Sequence, residues 1–219
     1  MQELKYGRKA PKSGKAKSIV VFLHGYGADG ADLLSIGDVL ADHLPDTLFV
    51  APDAPQPCAG NPFGRQWFPI PRFDGSSDAE MREGLAASVA ALNDFLDVLL
   101  QGEGLGPEAL ALVGFSQGAM MSLHVAPRRA AALAGIVAIS GRLMEPEKLG
   151  AELKVKPPVI LIHGDEDDVV PFDSMRMAGD ALLANDFEVY SHVMRGMGHG
   201  ISPDGLGASL NFLKDHLPK

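Results

Sequence analysis

The chain has 219 residues with a single cysteine, 46% hydrophobic and 21% charged side chains, and a formal net charge of −9. Such a length and composition suit one globular α/β domain spanning residues 1–219 and exclude a disordered chain. The acidic balance argues against a nucleic-acid partner, which needs a concentrated basic surface, and a lone Cys58 excludes an internal disulfide.

Taken from the N-terminus, a basic stretch comes first: Lys5, Arg8, Lys9, Lys12, Lys15 and Lys17 precede the apolar run Ser18–Leu23. The outline is that of a signal peptide. However, the apolar run is too short for an h-region, and it leads into His24-Gly25 rather than a small-residue cleavage site. It reads instead as a first strand behind a solvated basic arm, with a weaker strand near Glu3–Arg8 at the sheet edge. No stretch approaches the ~20 apolar residues of a membrane span. No span is expected, and the cytoplasm is the default location.

A glycine-rich loop, His24–Gly30, is followed by a helical segment at Ala31–His43 and a strand at Thr47–Ala51. Residues Pro52–Asp74 lack regular patterning, yet hold Phe63, Trp67, Phe68 and Phe73. A connection that long within a compact domain is often functional. Ser77 and Glu80 then fit a capping box at the start of the longest helix. Its apolar positions Met81, Leu85, Val89, Leu92, Leu96 and Leu99 recur at helical spacing until the Gln101–Gly106 stretch. Further strands are expected at Ala109–Val113, Gly135–Ile139, Val159–His163 and Glu188–Val193. Helices are expected from Gln117 to about Val125, before Pro127, and at Phe172–Ala184 and Leu206–His216. Gly141–Pro158 is another connection. Several strands are continuous apolar runs, as strands covered on both faces should be. Strand and helix alternate, which predicts a mainly parallel central sheet flanked by helices. No internal repeat, low-complexity tract or second domain is evident.

Gly114-Phe115-Ser116-Gln117-Gly118 matches G-x-S-x-G, with an apolar strand feeding into it and a helix leaving it. A serine on such a turn is held strained with its hydroxyl exposed, and side chains at the flanking glycines would collide with neighbouring backbone. A serine hydroxyl needs an adjacent base, and in this arrangement the acid and then the histidine should follow in the chain. His199, between Gly198 and Gly200 after the last strand, suits an irregular loop that presents an imidazole. The acid should lie in Asp165-Glu166-Asp167-Asp168, after the strand Val159–His163. Asp167 fits G-x-x-D-x-x-V-P, a pattern common at this turn in α/β-hydrolases. Asp168 is its close competitor, and neighbouring acids would repel one another unless a specific arrangement used only one. His24 and His163 each end a strand and precede glycine, from where they would brace the site. His43 and His216 read as helical residues near solvent, His124 as structural, and His192 as a strand residue. None makes a spacing such as H-E-x-x-H, so no metal is expected.

Acyl transfer needs preorganised N–H donors for its oxyanion. The backbone N–H of Gln117, just after the nucleophile, and that of Tyr26, in the early loop, are the expected pair. The same loop reads G-x-G-x-x-G at Gly25, Gly27 and Gly30, with Asp53 at a plausible distance, the outline of a dinucleotide fingerprint. That alternative, an NAD(P)-binding oxidoreductase, leaves both later motifs unused, and Gly30 falls before the helical pattern begins. No cofactor is expected.

Phe22–Gly30, Gly114–Ala119, His163–Pro171 and Met197-Gly198-His199 together resemble the phospholipase/carboxylesterase family, which includes the acyl-protein thioesterases. The likeness runs from Ser18 to the C-terminus, and the G-F-S-Q-G segment is its most specific part. The resemblance implies an α/β-hydrolase fold without a large lid domain. It also implies Ser116, Asp167 and His199 as a triad, and Tyr26 and Gln117 as backbone donors. Gly64–Pro69 matches the family's aromatic segment only in part, which bears on acyl preference. Trp67 and Phe68 either line an acyl groove or pin their loop to the core. Phe115, Met144, Val170 and Phe172 adjoin the catalytic loops and are further pocket candidates. Cys58 reads as a bystander. The expected partner is a small-molecule ester or thioester, with lysophospholipids and S-acylated proteins sharing the same reacting carbonyl. A noncatalytic acyl-ligand-binding protein is the other alternative. An acidic surface is compatible with a homodimer.

Overall fold

Residues 3–218 are described by a computed structural model of the chain. The strands in chain order are β1 (Tyr6–Lys9), β2 (Ser18–Leu23), β3 (Thr47–Pro52), β4 (Gln56–Cys58), β5 (Asn61–Gln66), β6 (Leu110–Phe115), β7 (Gly135–Ile139), β8 (Val159–Gly164) and β9 (Val189–Met194). The helices are α1 (Gly30–Leu34), α2 (Ile36–Ala41), α3 (Pro71–Asp74), α4 (Asp78–Glu103), α5 (Gln117–Val125), α6 (Pro146–Glu152), α7 (Asp173–Leu183) and α8 (Pro203–His216).

Seven strands make one sheet in the order β1-β3-β2-β6-β7-β8-β9. From β3 to β9 every pairing is parallel, with Val20 opposite Phe49, Leu23 opposite Gly114 and Ile139 opposite Ile162. Only β1 runs antiparallel, on the edge beside β3. Successive side chains of a strand point to opposite faces, so the apolar runs feed two cores at once. On one face Ile19, Val21, Leu112 and Leu161 pack with Leu92 and Leu96 of α4 and Met121 of α5. On the other, Val20, Phe22, Val113 and Ile162 pack with Leu33 of α1, Leu40 of α2 and Phe212 of α8. Each fully buried side chain of this size contributes roughly 1.5–3 kcal/mol. That is why continuous apolar runs, rather than alternating ones, mark these strands.

The helix α4 is opened by a capping box. Ser77 Oγ accepts the Glu80 N–H at 3.2 Å, and Glu80 Oε2 accepts the Ser77 N–H at 2.8 Å. It ends at Gly104, whose left-handed φ of 66° lets its N–H turn back onto the Leu100 and Gln101 carbonyls.

Three features depart from the sequence reading. The expected helix over Ala31–His43 is two, because Ser35 Oγ donates to the Asp32 carbonyl that a continuous helix would use. His43 lies beyond the end of α2, in an exposed turn rather than a helix. The Pro52–Asp74 connection holds the β4–β5 hairpin and α3, and Gly141–Pro158 holds α6. The basic arm is largely paired rather than simply solvated: Arg8 meets Glu103 at 3.0 Å, Lys17 meets Asp46 at 2.7 Å, and Lys9 and Lys12 meet Asp38 and Asp42. Among the described residues no helix is long and apolar enough to cross a membrane. Among the described residues no separate lid domain lies over the sheet.

Candidate active site

The C-terminal ends of β6, β8 and β9 carry the site, where adjacent parallel strands deliver their loops to one edge of the sheet. Strand β6 runs straight into α5 with only Ser116 between them, and Ser116 adopts φ 54° and ψ −116°. A non-glycine residue in that region is strained, and such strain persists only where the surroundings enforce it. Here the enforcement is steric. A Cβ on Gly118 would lie 1.8 Å from the Leu23 carbonyl oxygen, and one on Gly114 would lie 2.4 Å from the Gly118 carbonyl carbon. The Ser116 N–H is also tied to the Ile139 carbonyl of β7 at 2.9 Å.

The hydroxyl so presented lies 3.0 Å from His199 Nε2, and His199 Nδ1 lies 2.8 Å from Asp167 Oδ2. An ionised carboxylate only accepts hydrogen bonds, so the imidazole proton belongs on Nδ1 and Nε2 is left to accept from the serine. Asp167 is buried, and its other oxygen accepts the N–H groups of Val169 at 3.0 Å and Val170 at 2.8 Å. Burial alone would push this carboxyl up. The hydrogen bonds from His199, Val170 and Val169 outweigh it and hold the carboxyl below the ordinary aspartate value. His163 braces Asp167 from beneath, with Nε2 donating to the Val170 carbonyl at 2.9 Å and lying 3.3 Å from Asp167 Oδ2.

The neighbouring acids diverge. Asp168 and Glu166 are exposed, whereas Asp165 accepts the Gly196 N–H at 2.7 Å and pairs with Arg195 at 3.2 Å, anchoring the histidine loop. Asp167, not Asp168, is therefore the acid brought to the imidazole.

A cavity of about 370 Å³ opens over Ser116, lined by Tyr26, Leu33, Phe115, His199 and Ile201 among others. The early loop lies against the nucleophile, since a Cβ on Gly25 would stand 3.4 Å from Ser116 Cβ. Among the described residues, neither the Tyr26 N–H nor the Gln117 N–H is given to a protein acceptor. The Gln117 N–H belongs to the first turn of α5, where the helix dipole favours negative charge, and Tyr26 is among the residues lining the cavity.

Of the pocket candidates, Phe115 lines this cavity, its ring 4.9 Å from that of His199. The others require correction. Trp67 and Phe68 are wholly buried and are not among the residues lining the Ser116 cavity. Trp67 Nε1 donates to the His24 carbonyl at 3.0 Å, the Trp67 N–H to Gln117 Oε1 at 2.8 Å, and Gln117 Nε2 to the Phe68 carbonyl at 2.7 Å. A buried indole N–H needs a partner, and these bonds pin the loop to the core. Met144 and Val170 are also buried, and Met144 borders a different cavity with Arg142 and Met177. Phe172 stands edge-on to His163, away from the Ser116 cavity. Leu33 and Ile201 line the cavity although the sequence reading passed over them; each is one apolar residue among many in a helix or loop, with no local signal.

His43, His124, His192 and His216 take no part in this relay. His192 meets Asp204 at 2.8 Å and His216 donates to the Phe212 carbonyl at 2.8 Å. Burial pushes His124 down to about 4. Among the described residues no cluster of three or more His, Cys, Asp or Glu side chains is placed to hold a metal ion.

The dinucleotide reading of the early loop fails on geometry. Asn61 Nδ2 donates to the Gly27 carbonyl at 2.9 Å, the Gly27 N–H to the Arg65 carbonyl at 2.9 Å, and the Arg65 N–H to the Ala28 carbonyl at 2.8 Å. The hairpin thus occupies the backbone that a pyrophosphate would need. Asp53, which that reading assigns to a ribose, instead accepts the Gly30 N–H at 3.0 Å. Contrary to the sequence expectation, α1 starts at Gly30 itself, so these hydrogen bonds, and not the place where the helix begins, count against the fingerprint.

Comparison with known proteins bears on the family of the chain. The family model described as phospholipase/carboxylesterase matches residues 8–217. Acyl-protein thioesterase 1 of Neurospora crassa is 31% identical over 224 residues, covering 95% of this chain and 91% of its own. Esterase YpfH of Escherichia coli is 28% identical over 205 residues, covering 93% of this chain and 85% of its own. The crystal structure of esterase PE8 superposes with a TM-score of 0.93 at 45% identity, covering 98% of this chain and all of that one.

Proposed function

The chain belongs to the phospholipase/carboxylesterase family, and on that premise we propose that it is a serine hydrolase of carboxylic esters and thioesters, with Ser116, His199 and Asp167 as its catalytic triad. The observation that carries this reading is the continuous relay from Ser116 Oγ to His199 Nε2 at 3.0 Å and from His199 Nδ1 to Asp167 Oδ2 at 2.8 Å. The similar proteins named esterase and acyl-protein thioesterase support the reaction class.

The mechanism follows from the placement of these groups. Ser116 Oγ attacks the carbonyl carbon while His199 Nε2 takes its proton. Asp167 holds the imidazole with Nδ1–H toward it and stabilises the imidazolium. Negative charge that develops on the carbonyl oxygen is met by the N–H groups of Tyr26 and Gln117. His199 returns the proton to the departing alcohol or thiol, then activates water to release the acid and regenerate Ser116. The cavity wall of Leu33, Phe115 and Ile201 suits an apolar acyl group, and the carboxylate of Asp32 at its margin disfavours anionic substrates.

The test is hydrolysis of a neutral p-nitrophenyl ester and the matching thioester by Ser116→Ala. Turnover is expected to fall by about 10⁴- to 10⁶-fold with the melting temperature retained. Near-native hydrolysis by the variant would remove Ser116 from the mechanism.

A further inference from the structure

His24, at the end of β2, is wholly buried, and both its ring nitrogens are engaged by backbone. Nε2 accepts the Ala54 N–H at 3.0 Å, and Nδ1 lies 2.8 Å from the Gly25 carbonyl oxygen. Together these bonds fix the tautomer. Nε2 must present a lone pair, so the proton sits on Nδ1 and is donated to Gly25. Burial holds the imidazole below the ordinary histidine value, against the opposing influence of the Gly25 carbonyl and of Asp53, Asp29 and Asp32, which favours this neutral form.

The Gly25 carbonyl and the Tyr26 N–H are the two ends of one peptide unit. That unit is planar and trans, so its oxygen and its hydrogen point in opposite directions. Whatever holds the oxygen therefore aims the hydrogen. The Ala28 N–H supplies a second, longer bond to the same oxygen at 3.3 Å. A donor on the carbonyl also polarises the N–H at the far end. The carbonyl of His24 itself accepts Trp67 Nε1–H, and Trp67 is held by the Gln117 side chain. Gln117 carries the other free N–H at its backbone. The two donor-bearing segments are thus locked to each other through Trp67.

We propose that His24 is a positioning residue of the oxyanion site: its Nδ1–H, fixed on the Gly25 carbonyl, aims the Tyr26 N–H at the oxygen that becomes charged, and the Trp67–Gln117 bridge sets its distance from the elbow. This inference rests on the serine-esterase reading. It assigns a role in the reaction to a side chain that does not touch the reacting atoms.

The experiment compares wild type, His24→Ala, His24→Asn and Trp67→Phe for kcat and KM on a neutral ester, and for affinity toward an aryl boronic acid, whose tetrahedral Ser116 adduct mimics the charged intermediate. Rates are counted per active site by phosphonate titration. Loss of a whole oxyanion donor costs roughly 10²–10³ in kcat, and a misaimed donor should cost less. His24→Ala is expected to lower kcat about 10- to 100-fold, leave KM within about threefold, and weaken boronate binding by a similar factor. His24→Asn can place an amide N–H near the Nδ1 position and should recover much of both losses. Trp67→Phe keeps an aromatic, though smaller, ring and removes only the Nε1 donor to the His24 carbonyl, and should show a smaller loss in kcat of the same kind. The proposal is overturned if kcat per active site stays within about twofold of wild type in His24→Ala. Should His24→Ala not fold, unchanged kcat and boronate affinity in Trp67→Phe overturn it equally. Wild type that neither hydrolyses esters nor takes up phosphonate would sink the esterase reading itself; an active wild type with indifferent variants sinks only the role of His24.

Discussion

Asp167 and Asp168 differ by one position and by everything that matters to an imidazole. The Asp167 carboxylate is turned inward by the Val169 and Val170 N–H groups, whereas Asp168 faces solvent. Asp167→Asn would present an amide donor to His199 and favour the wrong tautomer. It is expected to lower kcat by about 10⁴-fold, while Asp168→Asn stays within about twofold, as steady-state ester hydrolysis would show. Reversed results would reassign the acid. The depressed carboxyl of Asp167 has a stability consequence as well. Its contribution is full above the unfolded aspartate value of about 3.9 and is lost as pH falls through the lower folded value. The direction a carboxylate faces is set by backbone two and three residues on. Four neighbouring acids therefore could not be ranked by spacing alone, although the presence of an acid at this turn could be read. The same limit applied to Trp67 and Phe68, whose backbone is tied to the Gln117 side chain, fifty residues away from Trp67.

Elements with a strong period were legible, and those without one were not. Apolar runs located β2, β7 and β8, and the capping box located α4, because each signal is local and large. The β4–β5 hairpin was not, since its strands are short, include Pro57, Pro62 and Gly64, and take their order from contact with the Gly25–Gly30 loop. A Cβ on Gly64 would lie 2.1 Å from the Gly27 carbonyl oxygen. Glycines likewise have two quite different roles at this scale. Gly118→Ala would drive a methyl into the Leu23 carbonyl at 1.8 Å. It is expected to destabilise the fold by about 4 kcal/mol or more, among the large single-site effects. Gly102, an exposed residue in α4 with open space at its Cβ position, is the opposite case. Gly102→Ala is expected to stabilise by about 0.4–1 kcal/mol. Chemical denaturation of both variants checks the pair, and equal effects would deny the elbow its steric basis.

For the whole molecule, the parallel sheet converts three distant stretches of chain into one site. Ser116 follows β6, Asp167 follows β8 and His199 follows β9, and strands β6-β7-β8-β9 are consecutive neighbours with their C-terminal ends together. Ligand sites of α/β sheets characteristically lie at that end. The chain order of serine, acid and histidine could be read in advance; which strands are neighbours could not, because pairing depends on the register of cores formed by residues far apart. The acidic net charge and the apolar cavity wall bear on which esters enter rather than on the chemistry within. The most direct measurement is reaction of the native chain with a fluorophosphonate, followed by intact mass and peptide mapping. One adduct per chain, on the peptide containing Ser116 and abolished by prior denaturation, is the expected result. A chain that hydrolyses esters yet takes up no adduct, or carries it on another residue, would contradict a serine nucleophile at the β6–α5 elbow.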